Sequence, residues 1–166
     1  LGTTMMVADG DRVMDISLVQ KNIAAVAAGW APELAARLER RALDKADFAT
    51  LRDAGLTLTG VPEELGGVWH SGARSTRPTG AIFRTLARVD PSVALVATMH
   101  PTVLALWLEE PVEPPVDPNA WREQRDRVLT AAKAGHWFGV GILDLMTNGF
   151  ITNLCYIACM VNPKMP

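Results

Sequence analysis

Cysteine is nearly missing from this chain: Cys155 and Cys159 are its two thiols in 166 residues. Two cysteines cannot form a disulfide framework, so a small disulfide-stapled secreted fold is excluded and a reducing cytoplasm is the expected setting. Charge is scarce as well. Asp, Glu, Lys and Arg make up 20% of the residues, and sixteen basic against eighteen acidic side chains leave a net charge of -2. With no cationic excess to neutralise a phosphate backbone, nucleic acid is not an expected partner. Intrinsic disorder is excluded by the opposite feature, since 49% of the residues are hydrophobic and disorder needs low hydrophobicity with high net charge. Leu1 to Gln20 lacks a basic stretch followed by an apolar core and a small-residue cleavage site, so no secretory signal is expected. The length suits one domain, which at this size buries roughly 70% of its unfolded surface.

Long uncharged runs are few. Pro91 to Leu108 carries no Asp, Glu, Lys or Arg over 18 residues, the lower limit for a membrane span. It also contains His100, Pro101, Ser92 and two threonines, and a fully buried helix has the same pattern. Core is the reading adopted. Phe150 to Val161 is apolar but shorter, with Asn153 inside it.

What is present is mostly helical punctuation. Val19, Ile23, Val26 and Trp30 step by three and four, which predicts an amphipathic helix starting near Asp15 or Ser17. Gly29 and Pro32 imply a kink or a second start, after which Leu34, Leu38 and Ala42 continue the stripe. Arg37, Glu39, Arg40 and Arg41 then read as a solvated face. Asp44 is the expected N-cap of the next helix, with Leu43 and Phe48 as a hydrophobic staple and Gly55 as its close. Gly60, Pro62, Gly66, Gly67 and Gly72 mark a structured loop over Leu56 to Ser75. A third helix is predicted from Thr76 or Arg77, with Pro78 in its first turn and Ile82, Leu86 and Val89 as its stripe. Asp90-Pro91 caps a fourth, apolar all round and therefore central, with a kink at Pro101. Four of the eleven prolines fall between Glu110 and Pro118, which predicts a stiff linker. Trp121, Val128, Leu129 and Ala132 define a fifth helix ending at Gly135, and His136 to Ile142 reads as a strand. The predicted fold class is mainly α: a bundle of about five helices over 1–135, a short β segment at 136–142 and a tail at 143–166.

Catalytic chemistry is hard to assemble from these residues. His70, His100 and His136 fall in a loop, an apolar helix and a strand start, and no Gly-x-Ser-x-Gly turn is present. Cys155 and Cys159 share a face if the tail is helical, but two thiols with no nearby histidine make a poor zinc site, and no metal is expected. Gly139-Val140-Gly141 lacks the third glycine of a dinucleotide fingerprint, and Gly66-Gly67 lacks the Lys-Ser/Thr of a phosphate loop. Glu63 and Glu64 read as water-facing. His100 stands out: an ionisable ring in an uncharged helix, just before a proline, either hydrogen-bonds a freed carbonyl or faces a cavity.

Four segments in order resemble the N-terminal part of acyl-CoA dehydrogenases. They are Asp53-Ala54-Gly55-Leu56 with Val61-Pro62-Glu63-Glu64-Leu65-Gly66-Gly67; Leu86-Ala87-Arg88-Val89-Asp90-Pro91-Ser92-Val93-Ala94; the helix with Met99-His100-Pro101; and Trp121 through Gln124-Arg125 to Gly135, followed by the strand His136 to Ile142. The resemblance implies a helical N-terminal domain beside a middle β-domain and a C-terminal four-helix bundle, with FAD between them. It implies α,β-dehydrogenation of an acyl-CoA, in which a carboxylate takes the α-proton and the flavin accepts a hydride. Met99, His100 and Val103 would line the acyl slot, and Phe138, Gly139 and Val140 would approach the flavin. A homo-oligomer is also implied.

After Ile142 the family's Thr/Ser-Glu-Pro-Gly continuation is not found; Leu143-Asp144-Leu145-Met146 stands there instead. The resemblance thus implies a truncated flavoprotein, inactive alone and without a catalytic residue of its own. Two alternatives stay open: a non-catalytic interaction or dimerisation module, and a fragment of a same-fold flavin-dependent monooxygenase.

Overall fold

Helix α1, Ile16–Trp30, starts where the Asp15 carboxylate accepts the Leu18 amide at 2.8 Å, satisfying one of the donors a helix start leaves open. The computed structural model describes residues 14–108, 117–143, 146–147, 150–151 and 154–159. Within them the fold is mainly α, as expected. After α1 a 3-10 turn, Ala31–Glu33, leads into the short α2, Leu34–Glu39. Asp44 caps α3, Lys45–Asp53, by accepting the Ala46 amide, and Gly55 closes it in the left-handed region at φ 90°. Helices α4, Gly72–Ala87, and α5, Pro91–Ala105, follow. Asp117 caps α6, Pro118–Lys133.

Strand β1, Phe138–Leu143, pairs antiparallel with β4, Leu154–Cys159, while β2, Met146–Thr147, pairs with β3, Phe150–Ile151. Cys155 and Cys159 thus lie in extended backbone, not on a helix. Residues 110–116 of the expected linker lie outside the described residues, and its last two, Asp117 and Pro118, open α6. No helix among those described is long and apolar enough to cross a membrane.

Two neighbouring cores hold the helices together. Val19, Ile23, Leu51, Leu56, Ile82, Leu86 and Val93 centre the first, and Val61, Val103, Leu104, Val128, Leu129 and Phe138 form the second. Each fully buried side chain of this size contributes about 2 kcal/mol against the entropy of ordering the chain. The segment Leu56–Gly60, a 3-10 turn, lies close to α5 at Gly60. A Cβ there would stand 2.8 Å from Leu104 Cβ and Cδ1, so only glycine admits this approach.

Three expectations are corrected. First, α2 turns the other way round. Leu38 is 58% exposed, whereas the Arg37 side chain is 9% exposed and reaches Asp47 and Asp90. Arg40 joins the same two carboxylates, at 2.6 Å from Asp90. Buried carboxylates need cationic partners more than two leucines on a two-turn helix need burial, and the Arg37 guanidinium also covers the Trp30 ring at 4.1 Å. Second, α4 starts at Gly72 and not at Thr76 or Arg77. The Ser71 hydroxyl accepts the Arg74 amide, and Ser75 Oγ accepts the amides of His70 and Ser71. These caps start the helix early and leave Pro78 inside it, with its carbonyl bonded by Gln20. Third, α5 is not buried all round. Its inner face carries Val93, Ala94, Ala97, His100, Val103 and Leu104, but Leu95 and Leu106 are 66% and 63% exposed among the described residues. Pro101 lies within α5 without ending it.

Candidate functional site

The most unusual side chain of the interior is His100, 0% exposed on the inner face of α5. Its Nε2 lies 2.9 Å from the Thr57 carbonyl oxygen, and its Nδ1 lies 3.1 Å from the Phe138 amide nitrogen. A carbonyl only accepts and an amide N–H only donates, so one protonation state satisfies both: the neutral ring with its proton on Nε2. Burial, the larger influence, pushes the His100 pKa down from 6.5 to about 4, against the Thr57 hydrogen bond, which raises it. The ring is therefore neutral at ordinary pH.

Local sequence explains each partner's position. Asp90 caps α5 by accepting the Val93 amide at 2.9 Å, and Pro91 supplies the preset first turn. Gly60 brings the Leu56–Gly60 turn against α5, which presents the Thr57 carbonyl to His100. Gly135, at φ 90°, ends α6 and directs the chain back toward α5.

Around His100 the surroundings are aromatic. Trp137 packs against the imidazole at 5.3 Å between ring centres and Phe138 at 5.8 Å, and Phe48 meets Trp137 edge-on at 5.3 Å. Beside this stack opens an apolar cleft of about 140 Å³, walled by Leu43, Phe48, Val96, Trp137 and Phe138, with Asp44 and Lys45 also on its lining. Trp137 Nε1 is buried and has no acceptor among the described residues.

The structure brings His100 and Phe138 together across 38 positions of sequence. Val103 is buried in the second core beside Phe138, and Met99 is half-buried on the adjoining edge of α5. Gly139 is buried next to Phe138, and Val140 continues β1, paired with Ile157. The other expected chemistry stays dispersed. His70 is exposed beside Arg74, Glu63 and Glu64 face water, and no cluster of three metal-ligating groups occurs among the described residues. Leu43, Phe48, Val96 and Trp137 are the wall residues that sequence reasoning missed. Val96 carried a usable signal, one turn before His100 on the same helical face.

Elsewhere among the described residues, the two buried carboxylates have cationic partners. Asp47 and Asp90 are ion-paired with Arg37 and Arg40. Burial works against the Arg40 charge, but hydrogen bonds to and attraction by Asp47 and Asp90 outweigh it and leave its pKa raised. No buried carboxylate among the described residues stands free beside the aromatic junction.

Comparison with curated proteins and with solved structures gave no match. The family model described as acyl-CoA dehydrogenase, N-terminal domain, matches residues 15–136. That span runs from the cap of α1, through the helices of the described residues, to the residue before Trp137. By that match the chain belongs to the acyl-CoA dehydrogenase family, through its N-terminal domain.

Proposed function

We propose that this domain serves a flavoprotein that oxidises an acyl-CoA at its α,β bond, and that the junction of α5 with β1 walls the reaction slot. One observation carries the reading: a buried aromatic junction, at which α5 holds the first amide of β1 through His100. Such a reaction needs a slot closed to water, with flat apolar walls on which the acyl chain and flavin can lie. FAD, when bound, supplies the hydride acceptor. The fit on this side is with its ring, because aromatic side chains gather here and the Trp137 N–H has no acceptor among the described residues. Phe138, Gly139 and Val140 are the segment proposed to approach it. Met99, His100 and Val103 are the α5 residues proposed for the acyl side, with His100 and Val103 supporting that wall from within. The base is placed outside the described residues, since Asp47 and Asp90 are held by arginines. A cytoplasmic setting belongs to the same proposal and rests on the scarcity of cysteine.

The test is a chimera in which residues 15–143 replace the N-terminal domain of a characterised acyl-CoA dehydrogenase. It is expected to keep FAD through gel filtration, whereas the 166-residue chain alone is expected not to oxidise acyl-CoA. A folded chimera that loses its flavin contradicts the reading.

A second reading, an interaction surface, is favoured by the exposed Leu95 on the outer face of α5 and the exposed Leu106 at its C-cap. A second copy of the chain is the proposed occupant. Sedimentation should show self-association that a Leu95→Glu, Leu106→Glu variant abolishes; a monomeric wild-type chain removes this reading.

A further inference from the structure

The structure assigns His100 a role as the positioning residue of strand β1: we propose that its neutral ring clamps the first amide of the strand to the helical domain. The clamp fixes where Phe138, Gly139 and Val140 begin. Its purpose, to set how that strand meets a flavin, rests on the function proposed above; the clamp itself does not.

Both ends of the clamp are fixed. Thr57 sits in the 3-10 turn that Gly60 lets approach Leu104 of α5, and the neighbouring Thr59 hydroxyl is bonded to the Leu56 carbonyl at 2.8 Å. Its carbonyl orients the ring by accepting from Nε2, as an outer partner orients a metal-bound or catalytic histidine. At the other end, the Phe138 amide opens β1, and Nδ1 of His100 accepts its hydrogen bond inside the protein. Without that acceptor a buried N–H would be orphaned. Trp137 and Phe138 pack on the ring, so it cannot turn away without disturbing both.

Three features separate this from a histidine that merely fills space. The ring lies where the two cores meet, with Trp137 in one and Phe138 in the other. Both nitrogens are used, and in only one tautomer. The residues joined, Thr57 and Phe138, lie 43 positions before and 38 positions after along the chain, so the bond ties three separate segments.

Nitrogen-15 NMR of the full 166-residue chain tests the clamp without flavin or substrate. The unmodified protein should show His100 protonated at Nε2 and unprotonated at Nδ1, with a through-hydrogen-bond coupling from Nδ1 to the Phe138 amide nitrogen. In His100→Phe, which keeps the aromatic volume, exchange of the Phe138 amide should rise on the order of tenfold. His100→Gln or His100→Asn, neutral and able both to donate and to accept, should restore part of that protection. A proton on Nδ1, an absent coupling, or equal Phe138 exchange in wild type and His100→Phe would overturn the proposal. If His100→Phe does not fold, the tautomer and coupling of the unmodified protein decide alone. A confirmed clamp in a chain whose chimera binds no FAD would leave this inference standing and remove the proposed function.

Discussion

Asp90 divides its carboxylate between two tasks: Oδ1 accepts the Val93 amide at 2.9 Å, and Oδ2 accepts Arg40 Nη2 at 2.6 Å. The cap that starts α5 is thereby the anchor that turns α2 inward. Asp90→Asn separates the tasks, because asparagine caps as well as aspartate but carries no charge. The substitution should cost about 3 kcal/mol, the usual effect of removing one partner of a buried ion pair. Urea unfolding measures it, and a loss below about 1 kcal/mol would mean the cap alone matters.

The inverted α2 gives a paired prediction. Leu38→Lys adds a charge where the side chain is already open and should change stability by no more than about 0.5 kcal/mol. Arg37→Leu leaves Asp47 and Asp90 with less compensation and removes the cover on Trp30, so it should cost about 3 kcal/mol. Thermal unfolding of the two variants side by side checks the ranking. The reverse order would restore the amphipathic pattern that Leu34 and Leu38 suggest.

His100 links stability to pH. Its pKa is about 4 in the folded chain against 6.5 for the free group, so between those values the unfolded chain binds a proton that the folded chain refuses. The contribution is complete above 6.5 and is lost as pH falls toward 4, at roughly 1.4 kcal/mol per pH unit and about 3 kcal/mol in all. Subtracting the urea-derived stability of His100→Gln from that of wild type between pH 7 and 4 isolates this slope. A flat difference would show that the folded ring accepts a proton freely.

Close approach at Gly60 predicts a packing penalty. In Gly60→Ala the new methyl meets Leu104 Cβ, which is not a flexible tip, at 2.8 Å. The turn or α5 must shift, at about 2 kcal/mol. Since the same turn carries Thr57, the Phe138 amide should also exchange faster, which hydrogen exchange by mass spectrometry resolves. Unchanged exchange would mean that the turn and the His100 bond move independently.

How much of this was legible in the sequence follows from range. Asp15, Asp44 and the Asp90-Pro91 pair act within three residues of themselves, so their capping roles could be read directly. His100 was singled out by chemistry, an ionisable ring among apolar neighbours, yet both of its partners lie some forty positions away. The inward arginines were misread because periodicity places a leucine inside by default and cannot register Asp90, 53 residues from Arg37. Ser71 was missed as the start of α4 because Pro78 offered a stronger local signal for a first turn. Among the wall residues, Trp137 and Phe48 meet only through the tertiary fold.

The central claim is that the α5–β1 junction walls an acyl-CoA oxidation slot. Anaerobic absorbance titration of the FAD-loaded chimera with a series of acyl-CoA thioesters tests it most directly. The account predicts bleaching of the oxidised flavin band by at least one chain length, with formation of the corresponding enoyl thioester. A folded, flavin-loaded chimera that no acyl-CoA in the series bleaches would contradict it.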